Sequence, residues 1–273
     1  MSLSSQDAFM ADVDWELRET GPPDAESTVL LLPGGMCSAG SFAEIMAEPV
    51  LSGTRLVAAT LPGNAGAPPL SDYSVENYAR VTTELAKQIN ADVVVGYSCG
   101  ASVAFEMVVS GSLTRPVVLL GISLSYKDES AFFRRLIQSG KVLGSVPTRL
   151  LATVAGSMIK RTELPAERKR ELQEDFHKNV PQDTVRALSA YVSWLHRLER
   201  PAERLCRAGV PSWIVHAEKG DGGLTDDERR TLEACQPAHV VTIPGNVFFL
   251  PNEASARVAD VILEAIGQIS TVG

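Results

Sequence analysis

Two kinds of apolar segment alternate along the chain. Residues 28–32, 55–59, 93–95, 116–121, 211–216 and 239–243 are short apolar runs rich in Val, Leu and Ile, without polar alternation. That is the composition of strands buried on both faces of a parallel sheet. Segments 38–46, 73–90, 101–109, 225–235 and 252–269 instead repeat their apolar residues at three and four positions, as helices do. In 73–90, for example, Val75, Tyr78, Ala79, Val81 and Leu85 fall near one face, and Ser38 or Ser41 can cap the helix at 38–46. Residues 12–19 alternate polar and apolar and read as an edge strand.

The rhythm stops between about 123 and 207, where strand signals vanish. Segments 129–142, 147–159, 165–177 and 181–199 read as successive helices, three of them opening at a proline. It returns from 209 onward. The pattern predicts an α/β fold with a mostly parallel, doubly wound sheet: a first core part over 1–122, a helical cap over 123–208, and a second core part over 209–273. The inserted helices are expected over the carboxyl edge of the sheet, and the charged run 160–175 reads as a solvated helix face.

Chemistry concentrates at 92–103, DVVVGYSCGASV. An apolar strand runs into Gly96-Tyr97-Ser98-Cys99-Gly100, and helical spacing follows. A G-x-S-x-G string in strand–turn–helix context makes a turn so tight that residues two positions either side of the serine must lack bulk. It exposes the serine Oγ at a strand end and a helix start, with the next N–H, that of Cys99, able to face an oxyanion. The alternative is a plain glycine-rich turn whose serine caps a helix.

Composition narrows the partners. A 273-residue chain with 45% hydrophobic residues builds a sizeable core, and its net charge of −8 argues against nucleic acid or an anionic membrane surface. No apolar run approaches membrane-spanning length, and the first residues lack the basic and apolar regions of a secretory signal. Cys37, Cys99, Cys206 and Cys235 form no C-x-x-C pair and read as reduced thiols of a cytoplasmic protein. His177, His196, His216 and His239 show no metal-ligand spacing, so neither a metal nor a cofactor is expected. Oligomeric state is not encoded in any of these signals.

These pieces, in this order, resemble the α/β-hydrolase superfamily across essentially the whole chain. The resemblance implies that Ser98 is a nucleophile and that the loop Pro33-Gly34-Gly35-Met36 supplies a second oxyanion donor, the N–H of Gly35 or Met36, beside that of Cys99. The loop after the next strand keeps the family's glycines at Gly63 and Gly66 but has Thr60 where the family has aspartate. The triad acid falls in Ala217-Glu218-Lys219-Gly220-Asp221, with Asp221 as the acid and Glu218 as the alternative. The family's histidine sits in a string of the type Ile-Pro-Gly-x-Gly-His-Phe with a glutamate five positions on. Here Ile243, Pro244, Gly245, Phe249 and Glu253 hold that register, and Phe248 occupies the histidine position. A phenyl ring accepts no proton, so Ser98 lacks the family's general base.

Three readings stand at this point. The first is a serine hydrolase of a small ester, thioester or related acyl compound with an incomplete triad. The second is a catalytically inactive relative that binds a small acyl or apolar ligand, or a protein partner, in a pocket near Met36, Tyr97 and Phe248. The third is a different reaction, such as that of a lyase, on the same scaffold.

Overall fold

The computed structural model describes residues 13–129, 153, 156, 157, 159–220 and 223–269. In chain order the elements are β1 (Leu17–Thr20), β2 (Thr28–Leu32), a 3-10 turn (Ala39–Phe42) running into α1 (Ala43–Met46), β3 (Arg55–Ala59), α2 (Val75–Gln88), β4 (Val93–Tyr97), α3 (Cys99–Val109) and β5 (Val117–Leu120). After the insertion come α4 (Ala166–Lys178), α5 (Pro181–Arg197), α6 (Pro201–Ala208), β6 (Ser212–Gly220), α7 (Asp226–Glu233), β7 (Ala238–Val247), α8 (Leu250–Glu253) and α9 (Ser255–Gly267). The sheet has seven strands in the order β1-β3-β2-β4-β5-β6-β7, parallel except for β1 at the edge.

Every residue of β2, β4 and β5 is buried, because helices cover both faces of the sheet. Side chains still alternate. Leu30 and Leu32 face a layer built from α2, α3, α5 and α6, with Phe105, Met107, Trp194 and Leu205 at its centre. Val29 and Leu31 face the other layer, where Ile45 of α1 and Val258 and Ile262 of α9 pack. This two-sided burial is why the central strands show no period-two signal in the sequence.

The expected ends of β2 and β3 match the observed ones. Strands β6 and β7 and helix α6 differ most from expectation. β6 and β7 continue as a paired ribbon past His216 and Ile243, with Lys219 opposite Asn246 and Gly220 opposite Val247 around a bulge at 217–219. Helix α6 was not expected. Its sequence signals are Pro201 in its first turn and Gly209 in a left-handed conformation (φ 70°) just past its end. The helix expected over 129–142, and most of that over 147–159, lie outside the described residues.

The expectation of four reduced cysteines is corrected. Cys206 on α6 and Cys235 just after α7 form a disulfide, their Cα atoms 5.8 Å apart. They lie 29 residues apart in sequence, and the packing of α6 on α7 brings them together. Cys37 and Cys99 remain thiols. Among the described residues, no helix is long and apolar enough to cross a membrane, and no cluster of three potential ligands able to hold a metal ion occurs.

Candidate active site

Ser98 joins β4 to α3 with φ 50° and ψ −115°, a backbone conformation that a non-glycine residue adopts only under constraint. The constraint comes from backbone packing. A Cβ on Gly96 would stand 2.3 Å from the Gly100 carbonyl oxygen, and one on Gly100 would stand 2.2 Å from that of Leu32. Both glycines are therefore required by contact with backbone. Ser98 is half-buried, makes no capping bond to α3, and its Oγ has no hydrogen-bond partner among the described residues. The reading of a plain helix-capping serine fails on that point.

The loop after β2 packs directly on this turn. A Cβ on Gly34 would lie 3.5 Å from Ser98 Cβ, and one on Gly35 would lie 3.0 Å from Cys99 Sγ. Met36 is in the left-handed region (φ 66°), and its N–H donates to Asn64 Oδ1 at 2.7 Å. That bond engages the Met36 N–H, whereas the Gly35 N–H has no partner among the described residues. Cys99 opens α3, so its N–H sits at the positive end of the helix dipole.

Sequence reasoning missed the side chains that hold this loop. Thr60, in the family's aspartate slot, accepts the Ala39 N–H at 2.8 Å. Asn64 also donates to the Leu61 carbonyl at 3.1 Å. Asn179, between α4 and α5, accepts the Ala65 N–H at 2.9 Å and donates to the Met36 carbonyl at 2.8 Å. Ala65 is itself left-handed (φ 48°), so the two asparagines secure both strained loop positions. Farther along α4, Asp175 accepts a hydrogen bond from Ser38, and Arg168 donates to Glu44 at 2.6 Å and to the Gly40 carbonyl. Asparagine in a glycine-rich loop was the visible signal for Asn64. Nothing local marked Asn179.

The strand-end loops meet the turn from the other side. Tyr97, expected at the pocket, is 6% exposed and lies beneath the serine, its Oη donating to the Phe248 carbonyl at 2.9 Å. The N–H groups of Phe248 and Phe249 both donate to Glu253 Oε1, at 3.0 and 2.8 Å. The chain at 248 is thus fixed beside the turn, with a half-buried phenyl ring as its side chain. Asp221 lies outside the described residues. Glu218, the alternative acid, is exposed and accepts the Gly245 N–H at 3.1 Å.

None of the four histidines is hydrogen-bonded to Ser98. His196 stacks on Tyr126 at 4.3 Å between ring centroids, His239 stacks on Trp213 at 4.8 Å, and His177 Nδ1 donates to the Gln173 carbonyl at 2.6 Å. His216 is 1% exposed, and neither ring nitrogen has a hydrogen-bond partner among the described residues. Burial, with a smaller contribution from the Arg229 charge, lowers its pKa to about 4. The folded state therefore holds His216 neutral, while the unfolded chain protonates it below its ordinary 6.5. Its contribution to stability is complete above pH 6.5 and lost as pH falls toward 4, on the order of 3 kcal/mol for that shift. A His216→Leu variant is expected to flatten urea-midpoint stability between pH 6.5 and 4. An unchanged slope in that variant would remove His216 as its source.

Two cavities border the loop. A narrow slot of about 40 Å³ is lined by Gly35 and Cys99 together with Leu61, Val103, Ala187 and Leu188. A wide cleft of about 800 Å³ is lined by polar side chains of the insertion, among them Lys160, Gln173, His177 and Asn179. Met36 and Thr184 line both. Ser98, Tyr97 and Phe248 line neither.

A model of the alpha/beta hydrolase family matches residues 29–261. No curated protein matches the chain at the sequence level. Among solved structures, an esterase from Thermogutta terrifontis is 16% identical with a TM-score of 0.71, covering 93% of each chain. A thioesterase domain from the curacin biosynthetic pathway is 19% identical with a TM-score of 0.66, covering 91% of this chain and 94% of its own. The N-acyl homoserine lactonase AidH, as a mutant complexed with N-hexanoyl homoserine, is 17% identical with a TM-score of 0.69, covering 93% of this chain and 96% of its own. At these identities the likeness is one of fold.

Proposed function

The chain belongs to the alpha/beta hydrolase family, and from that premise we propose that it is a serine hydrolase of small acyl esters or thioesters, with Ser98 as nucleophile and a weakened base. The observation that carries this reading is the constrained backbone of Ser98 between two glycines that nothing larger can replace. Strain of this kind persists only where surrounding structure enforces it. In the proposed reaction Ser98 Oγ bonds to the acyl carbon, and the carbonyl oxygen becomes an oxyanion held by the Gly35 and Cys99 N–H groups. The ester or thioester bond then breaks, the leaving group departs with a proton, and water releases the acid and restores Ser98. Helices α4 and α5 form the cap over this site.

With phenylalanine at 248, the Ser98 proton passes to water or hydroxide. The rate is therefore expected to be low and to rise through the alkaline range, retaining about 10³–10⁴-fold over the uncatalysed reaction from the oxyanion site and binding. The lack of a hydrogen-bond partner for Ser98 Oγ among the described residues, with phenylalanine at 248, favours the second reading, a ligand-binding relative without turnover. Intact-mass measurement after a fluorophosphonate decides between them. One adduct on the native chain, absent in Ser98→Ala, is the hydrolase result; an unlabelled native chain that stays folded is the binding-protein result.

A further inference from the structure

Met36 and Thr184 stand where two cavities of unlike size and chemistry meet. We propose that the slot receives the acyl chain and the cleft receives the rest of the substrate, so the preferred substrates are short-acyl esters or thioesters of a bulky, polar alcohol or thiol. This deepens the hydrolase reading of Ser98 and rests on it.

The slot's free volume of about 40 Å³ equals about three water-sized groups, enough for an acyl chain of about two to four carbons. Its chemistry is apolar. Leu61, Val103, Ala187 and Leu188 form much of the wall. The phenols of Tyr78 and Tyr191, which also line it, donate to the Pro62 carbonyl and to Glu129 Oε1, each at 2.6 Å, and so offer ring surface. Gly35 and Cys99, the residues whose N–H groups hold the oxyanion in the proposed reaction, line the slot, so an acyl chain within it lies near its own carbonyl. The cleft is about 800 Å³ and carries the Lys160 ammonium, the Gln173 amide and the His177 ring. It suits a hydrogen-bonding group; Met36, Phe176 and Pro181 also line it, but its width gives a long alkyl tail a looser fit than the slot gives a short one, so methylenes beyond the slot gain less.

The test uses butanamide and octanamide, which mimic the acyl part and are not hydrolysed, with ligand-observed NMR for affinity. Butanamide is expected to bind at least ten-fold more tightly than octanamide. Ala187→Phe, a half-exposed position on α5, is expected to weaken butanamide at least ten-fold with an unchanged melting temperature. Leu188→Ala enlarges the slot and is expected to raise octanamide affinity at least three-fold. The polar half is read by turnover: S-butyryl-N-acetylcysteamine is expected to exceed S-ethyl thiobutyrate in kcat/KM at least ten-fold. Equal binding of the two amides, butanamide binding unaffected by Ala187→Phe, or equal turnover of the two thioesters overturns the proposal. Butanamide binding of the expected pattern with no thioester turnover overturns the hydrolase reading and leaves the slot assignment supported.

Discussion

Replacing Phe248 with histidine is expected to raise kcat/KM on a short activated ester by about 10²–10⁴-fold, the range that a positioned general base contributes. The backbone is already prepared for it. Tyr97 holds the carbonyl of residue 248, and Glu253 holds its N–H and that of 249. These bonds are made by main-chain atoms and survive the exchange of side chain. An imidazole placed there leaves the chain at a point hydrogen-bonded to the residue preceding Ser98, so in the proposed reaction the Ser98 proton is expected to gain a fixed acceptor. The gained activity is expected to follow a single ionisation near pH 6–7, rising with pH as the imidazole loses its proton. A folded Phe248→His protein with unchanged kcat/KM and no such pH profile would mean that position 248 does not reach Ser98 Oγ.

The second large effect is structural. Gly96→Ala and Gly100→Ala each place a Cβ within 2.3 Å of a backbone carbonyl oxygen, and neither obstacle is the flexible end of a side chain. Either strand β4 must part from helix α3, or the loop after β2 must withdraw from the turn. A loss of about 4 kcal/mol or more is expected, at the upper end for single substitutions, which at this size lowers the melting temperature by about 8–15 °C. Gly53→Ala is the control: nothing lies within 4 Å of its Cβ, and a change within about 0.5 kcal/mol is expected. Equal melting temperatures for Gly100→Ala and Gly53→Ala would rule out the tight turn.

The central strands were legible because burial on both faces leaves an unmistakable composition, and Ser98 because glycine spacing at a strand end has one steric explanation. The extra length of β6 and β7 was not. Residues 217–220 and 244–247 are rich in glycine and polar groups, read locally as loop, and become strand only by pairing with each other. The four-residue α1 and the 3-10 turn before it were read as one helix, since local spacing cannot distinguish the two windings over so short a segment. The Cys206–Cys235 bond and the contacts of Asn179 are long-range facts of packing. Asn179 reaches Met36 across 143 positions of sequence, and no periodicity encodes such a meeting. Phe248 could be placed in sequence from its neighbours, but only the structure showed its backbone fastened to Tyr97.

The bonds from Asn179, Asp175 and Arg168 make the loop after β2 and the helices α4 and α5 a single mechanical piece. Raising those helices to admit a guest pulls on the Met36 carbonyl and the Ala65 N–H, two positions whose backbone stays in shape only while it is held. In the proposed reaction the Gly35 donor therefore depends on these distant helices for its position.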